Sequence, residues 1–223
     1  MQAIINNPYR IAGILANSSD RDILKQKNKI KRFTDVGREV ISEYDFPFFP
    51  SLQRNNTIVN KAFSDIEQNQ DKVTHSLFWF LSINNIDKIA IRYLSYGNKE
   101  KSFEIWGKLI EGKKVDNKNY SAFNNMGTLC LLDSSKEIQK QGINLKIKLI
   151  ESENFRYFIN NVADEIYTVD NVIQIKVFID KLLTQLKNNY STAEIVALFK
   201  DCNDISQKYI SQKFTEEPIH NHY

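Results

Sequence analysis

The chain has 223 residues, 42% of them hydrophobic and 26% charged, so it can bury a substantial core and is too apolar to be disordered throughout. Its net charge of +3, from 30 basic and 27 acidic side chains, is too mild to argue for nucleic acid by bulk electrostatics. Seven glycines and four prolines are few for a tight-turned all-β fold, and the composition leans helical.

The opening MQAIINNPYR has neither the basic flank nor the apolar core of a signal peptide. No run reaches the ~18 apolar residues of a membrane span, so a soluble, cytoplasmic protein without a membrane partner is expected. Asn17-Ser18-Ser19 then precedes a periodic segment, and Ser19-x-x-Asp22 has the form of a helix N-cap with acids in the first turn. Ile23, Ile30 and Phe33 fall roughly on one face. Lys25, Lys27, Lys29, Lys31 and Arg32 place five cations and no acid within residues 24–33. A second helix is expected from Thr57, as N-cap, to about Glu67, with Ile58, Ala62, Phe63 and Ile66 inward. NQDK makes a break, and VTHSLFWFLS is expected to begin a further helix whose Phe78, Trp79 and Phe80 pack in the core.

NPYRIAGILANSSDRDILKQKNKIKRF, residues 6–33, resembles the opening of a J domain, the module of DnaJ-type co-chaperones. Tyr9, Ile11, Gly13, Ser19 and Ile23 match its pattern of an aromatic-glycine turn leading into a basic helix. VNKAFSDIEQNQDKV resembles the family's third helix, with Ala62-Phe63 at its Ala-aromatic pair, and the resemblance covers about residues 6–80. It implies that the basic helix, through Lys25, Lys27, Lys29, Lys31 and Arg32, meets an acidic surface of a DnaK-type chaperone. The departure is in the loop, TDVGREVISEYDFPFFPSLQRNN. It lacks the family's His-Pro-Asp, and its nearest acids, Asp35 and Asp45, have the wrong neighbours. The implied module therefore docks without triggering ATP hydrolysis.

From Ile83 the pattern changes to helix, Gly97 turn and helix. Ile89, Ala90, Tyr93, Gly97, Ser102, Trp106 and Leu109 resemble the signature of a tetratricopeptide repeat, and Phe123, Asn125, Met126 and Gly127 half-repeat it. Ser134-x-x-Glu137 reads as a capping box for the next helix. Val172, Ile175, Ile179, Leu182, Leu183 and Leu186 form one core stripe. A last stripe opens at the box Ser191-x-x-Glu194 and runs through Ile195, Leu198, Phe199, Cys202, Ile205 and Tyr209. Cys130 and Cys202, far apart in apolar patterns, are expected as buried free thiols.

The expectation is an all-α chain: a J-like domain over 1–82, packed on or linked to a tetratricopeptide-like domain over 83–217, with a tail over 218–223. No nucleotide-binding glycine motif, nucleophile elbow or metal-ligand spacing occurs, so no cofactor, metal or catalytic residue is assigned. His75 reads as packed, and His220 and His222 lie in the tail. The expected partner is a protein, either a DnaK-type chaperone or a client. An alternative is a scaffold whose repeat groove binds through Asn84 and Asn124. Nucleic-acid binding through the lysine helix is the weakest of the three, given the near-balanced charge.

Overall fold

The computed structural model describes residues 1–215. The expected tail at 218–223, with His220 and His222, lies outside the described residues. Within them the chain is all-α, with no strand. In order the helices are α1 (Gln2–Ile5), α2 (Pro8–Ala12), α3 (Asp20–Asp35), α4 (Asn56–Ser64), α5 (Asn69–Ser76), α6 (Asn85–Ser95) and α7 (Lys99–Ile110). They continue with α8 (Tyr120–Leu131), α9 (Lys136–Glu151), α10 (Phe155–Val162), α11 (Asn171–Leu186), α12 (Thr192–Leu198) and α13 (Asp204–Thr215).

Short polar side chains start most of them, because the first N–H groups of a helix need an acceptor. Ser19 caps α3, Asn84 caps α6 and Asn98 caps α7, each accepting from backbone N–H groups of the first turn. Ser191 and Glu194 form a reciprocal capping box on α12. Two expected caps move. Asn55, not Thr57, caps α4, and Ser135, not Ser134, caps α9. On α4 Val59 packs inward and Ile58, expected inward, is at the surface. The expected last stripe is two helices, because Asn203 accepts from the N–H and hydroxyl of Ser206 and starts α13 afresh. Ser206 and Ile210 are then buried, and Ile205 faces out.

At the centre lies α8, every residue of which is buried. Two glycines let α9 lie close against it. A Cβ on Gly142 would sit 2.8 Å from Cys130 Cβ and 3.0 Å from the Gly127 carbonyl oxygen, and one on Gly127 would sit 2.9 Å from Lys146 Cε. The helices α7 and α10 flank α8, α11 and α12 pack on α9, and α13 packs on α11 and α12. N-terminal elements join the same body. α1 rests on α11, α5 on α10 and α11, and one connected apolar cluster runs from Ile4 to Ile210. Cys130 and Cys202 are buried free thiols, and burial pushes both up to about 12.

The segment Leu77–Leu81 differs most from expectation. α5 ends at Ser76; the N–H groups of Leu77, Phe78 and Trp79 still bond back to Val73, His75 and Ser76, and LFWFL then leaves the helix and crosses the core, all five side chains fully buried. A buried non-helical backbone must find partners elsewhere, and asparagines supply them. Asn7 Nδ2 donates to the carbonyls of His75 and Phe78, and Asn124 Nδ2 to those of Ser76 and Trp79. Asn125 both accepts from the Leu81 N–H and donates to the Leu81 carbonyl, at 3.0 and 2.8 Å. Asn17 does the same for Ser82, at 2.9 and 2.8 Å. A primary amide presents a donor and an acceptor side by side, as an adjacent strand would. Trp79 Nε1 donates to Ile14 O, so the indole is satisfied as well.

Residues 36–55 form a long connection that is held rather than loose. Phe46 is buried, and its ring centroid lies 5.6 Å from that of Phe80 and 6.2 Å from that of Trp79. Arg54 is the knot of this loop. Its guanidinium, buried at 0% side-chain exposure, makes two 2.6 Å bonds to Asp45 and donates to the carbonyls of Arg10, Ile11 and Val40.

Candidate functional site

α3 is the least embedded of the longer helices. Of its 16 residues Ile30 alone is buried, with Ile23 and Phe33 half-covered against the body. Its cations are therefore not needed to fill or satisfy the core. They sort by helical spacing into two sets. Arg21, Lys25, Lys29 and Arg32, at i, i+4, i+8 and i+11, all line one open groove. Lys27 and Lys31 do not line it, and the Lys27 ammonium lies 4.6 Å over the Phe63 ring, covering α4. Of the five cations expected to form one surface, the structure brings three together and adds Arg21.

The opposite wall is α6, which contributes Lys88 and Arg92, again at i and i+4. Ile14, Leu15, Ser82 and Ile91 form the floor, and Tyr44 also lines it. The groove measures 1410 Å³, beyond the ~300–1,000 Å³ usual for a small-molecule pocket and suited to a macromolecular segment. Six cationic side chains face it against two carboxylates, Asp22 and Glu43. Asp22 is committed locally: the Ser19 hydroxyl donates to it at 2.6 Å and holds its carboxyl below the usual range. Lys29 Nζ donates to the Ile41 carbonyl at 3.1 Å, which orients it while leaving its charge uncompensated by an acid there.

The two residues expected in a repeat groove are elsewhere in role. Asn84 is half-exposed and spends its side-chain oxygen capping α6. Asn124 is a correction: it is fully buried, its amide donating to the Leu77–Leu81 region and its oxygens accepting from Lys146. An asparagine on a helix with no exposed face cannot meet a partner.

Sequence reasoning missed Lys88 and Arg92, whose spacing was visible, because nothing in the sequence places α6 across from α3. It also missed Lys146. This lysine is fully buried, its ammonium donating to Asn124 O and Asn124 Oδ1 at 2.6 Å and to Thr128 Oγ1 at 2.7 Å, while burial pushes its pKa well down. Three acceptors match the three donors of an ammonium. It does not line the groove, and its contacts tie α9 to α8. Asp87 is likewise buried, raised by burial, and accepts from Trp106 Nε1 and the Ile83 N–H, both at 3.0 Å. Among the described residues no group of three or more His, Cys, Asp or Glu is placed to hold a metal. Nor is any helix there long and apolar enough to cross a membrane. No protein-family model, no curated protein and no solved structure gives a significant match to the chain.

Proposed function

We propose that this chain is a non-catalytic protein-interaction module that docks an acidic surface of a partner protein on α3. The observation that carries this is the single row Arg21, Lys25, Lys29 and Arg32 facing an open groove from a helix that holds up little of the core. Cations arranged in this way steer and register an anionic partner. The resemblance of residues 6–80 to a J domain makes a cytoplasmic DnaK-type chaperone the partner to test. In this reading residues 1–82 are the docking unit and 83–217 the tetratricopeptide-like support. The loop that would carry His-Pro-Asp instead binds its own acid, Asp45, to Arg54. The module therefore binds without stimulating ATP turnover, as an adaptor does.

The test is ATP turnover by a DnaK-type chaperone of the source organism with and without this protein, alongside direct binding. Binding with unchanged turnover is expected, weakened by Lys25→Glu with Lys29→Glu. Affinity indifferent to that pair overturns docking through α3, and stimulated turnover overturns the adaptor. The alternative, a scaffold binding through a repeat groove, has less support because Asn124 is internal.

A further inference from the structure

The groove has a second wall, and its chemistry specifies more than negative charge. On α3 the cations recur every third or fourth residue, a rise of about 5–6 Å, and Lys88 and Arg92 on α6 are also four apart. Between the charges are apolar groups that a purely electrostatic site would not need. Leu24 on α3 is 59% exposed and Tyr96, just past α6, is 73% exposed. Both line the groove from opposite sides, over a floor that includes Leu15 and Ile91.

We infer that this groove receives an acidic amphipathic helix from a partner protein, its apolar stripe seated between Leu24 and Tyr96 and its carboxylates paired with the two rows of cations. The inference rests on the protein-docking role above and names the form of the docked segment. An α-helix carries carboxylates at i and i+4 with the same ~6 Å rise as the rows that would receive them, and apolar anchors at i, i+3, i+4 and i+7 on an adjoining face. Arg21 to Arg32 spans about 16 Å, room for three turns. A single-stranded nucleic acid fits less well. It needs open aromatic rings on which bases stack, and Phe33 and Tyr44 are half-covered against the body, leaving Tyr96 to serve alone. Asp22 and Glu43 at the groove also repel a phosphate chain, whereas a helix can turn a neutral or basic side chain toward them.

The experiment is fluorescence anisotropy with three probes: a synthetic peptide of about five helical turns with leucines at every third or fourth position and glutamates between, its scrambled counterpart, and a single-stranded oligothymidylate of equal charge. The amphipathic peptide is expected to bind at least about tenfold more tightly than either other probe. Leu24→Ser with Tyr96→Ser, and separately Lys88→Glu with Arg92→Glu, should each weaken it by about tenfold or more. The first pair alters exposed side chains, and far-ultraviolet circular dichroism checks that both double variants keep their helix content. Equal binding of the scrambled peptide, tighter binding of the oligothymidylate, no peptide binding, or indifference to either double variant overturns the inference. The two proposals fail separately. If the DnaK-type partner is lost on Lys25→Glu with Lys29→Glu but unaffected by the Leu24/Tyr96 and Lys88/Arg92 variants, docking on α3 stands and the amphipathic helix falls. If the peptide binds as expected and the α3 pair leaves the chaperone's affinity unchanged, the reverse holds.

Discussion

α8 and α3 are both amphipathic on paper, and they use polar side chains in opposite ways. On α8, Asn124, Asn125 and Thr128 are fully buried, and each hydrogen-bonds to a backbone group, to Lys146 or to both. On α3 most polar side chains face solvent or a groove, the buried Thr34 hydroxyl and Gln26, which donates to the Ala12 carbonyl, being exceptions, and removal of the cations would leave few internal groups unpaired. A polar residue with internal partners is part of the architecture; a row of like charges without such partners is free to be selected for something outside. The contrast is measurable. Substitutions around α8 should cost stability, and those on α3 should cost binding.

The largest stability loss is expected for Asn124→Ala. It strands the Trp79 carbonyl in the core, takes one of two donors from the Ser76 carbonyl, and removes one of the acceptors of the buried Lys146 ammonium. Unsatisfied buried groups cost ~1–3 kcal/mol each, so about 4 kcal/mol should be lost, a large part of the ~5–15 kcal/mol of a typical domain. Urea denaturation reads it, and a loss below about 1 kcal/mol would show that the Leu77–Leu81 backbone finds partners without the amide. Next comes Asp45→Ala, which leaves the Arg54 guanidinium buried without its counter-charge. Breaking such a pair costs about 3 kcal/mol, and the 36–55 connection should become the first site of limited proteolysis. Unchanged cleavage would mean that Phe46 and the bonds from Arg54 to backbone carbonyls hold the loop without the ion pair.

These two positions also mark where the sequence could and could not be followed. Ser19 before α3 and the α6–Gly97–α7 hairpin were legible because caps, glycine turns and 3.6-residue stripes are local signals; Ser102 Oγ donating to Ala90 O at 2.7 Å marks the expected close approach of α6 and α7. LFWFL was misread as helix because five apolar residues have the same hydropathy whether helical or extended. What decides is the set of four asparagines, all of them at least 44 positions away from the residues they bond. Asn124 looked like a groove residue because a polar side chain on a helix is ordinarily outside. Its partner Lys146 was invisible for the same reason. Half of the groove was legible, as Lys25, Lys29 and Arg32 on α3. The other half is tertiary, since Lys88 and Arg92 acquire meaning once α6 is seen across from α3.

A smaller effect than either substitution tests the rim of the buried region through pH. His75 ends α5, and burial, with Lys181 and Lys61 nearby and Asp65 opposing them, lowers its pKa to about 4. The unfolded chain takes up a proton near pH 6.5 while the folded one does not until about pH 4. Stability should thus be constant with respect to this group above pH 6.5 and fall by about 2–3 kcal/mol as pH drops toward 4. His75→Phe should flatten that slope in urea titrations between those limits, and an identical slope in the variant would assign the loss to other groups.

The smallest effect on stability should come from the substitutions with the largest effect on binding. Lys25→Glu with Lys29→Glu changes exposed side chains on a helix with one buried residue. Surface charges contribute at most a few tenths of a kcal/mol each, and the urea midpoint should shift by less than about 0.5 kcal/mol equivalent. Lys29 forfeits its bond to the Ile41 carbonyl, a solvent-facing contact that water can replace. Binding of an acidic partner should nonetheless fall at least about tenfold, with a weaker dependence on salt, because each reversal turns an attraction along the groove into a repulsion. Lys27→Glu with Lys31→Glu is the matched control: the same helix and the same change in charge, placed off the groove wall. If both pairs weaken the partner equally, net charge on α3 matters and the row does not. If only the first pair does, the function lies in which face of α3 the cations occupy.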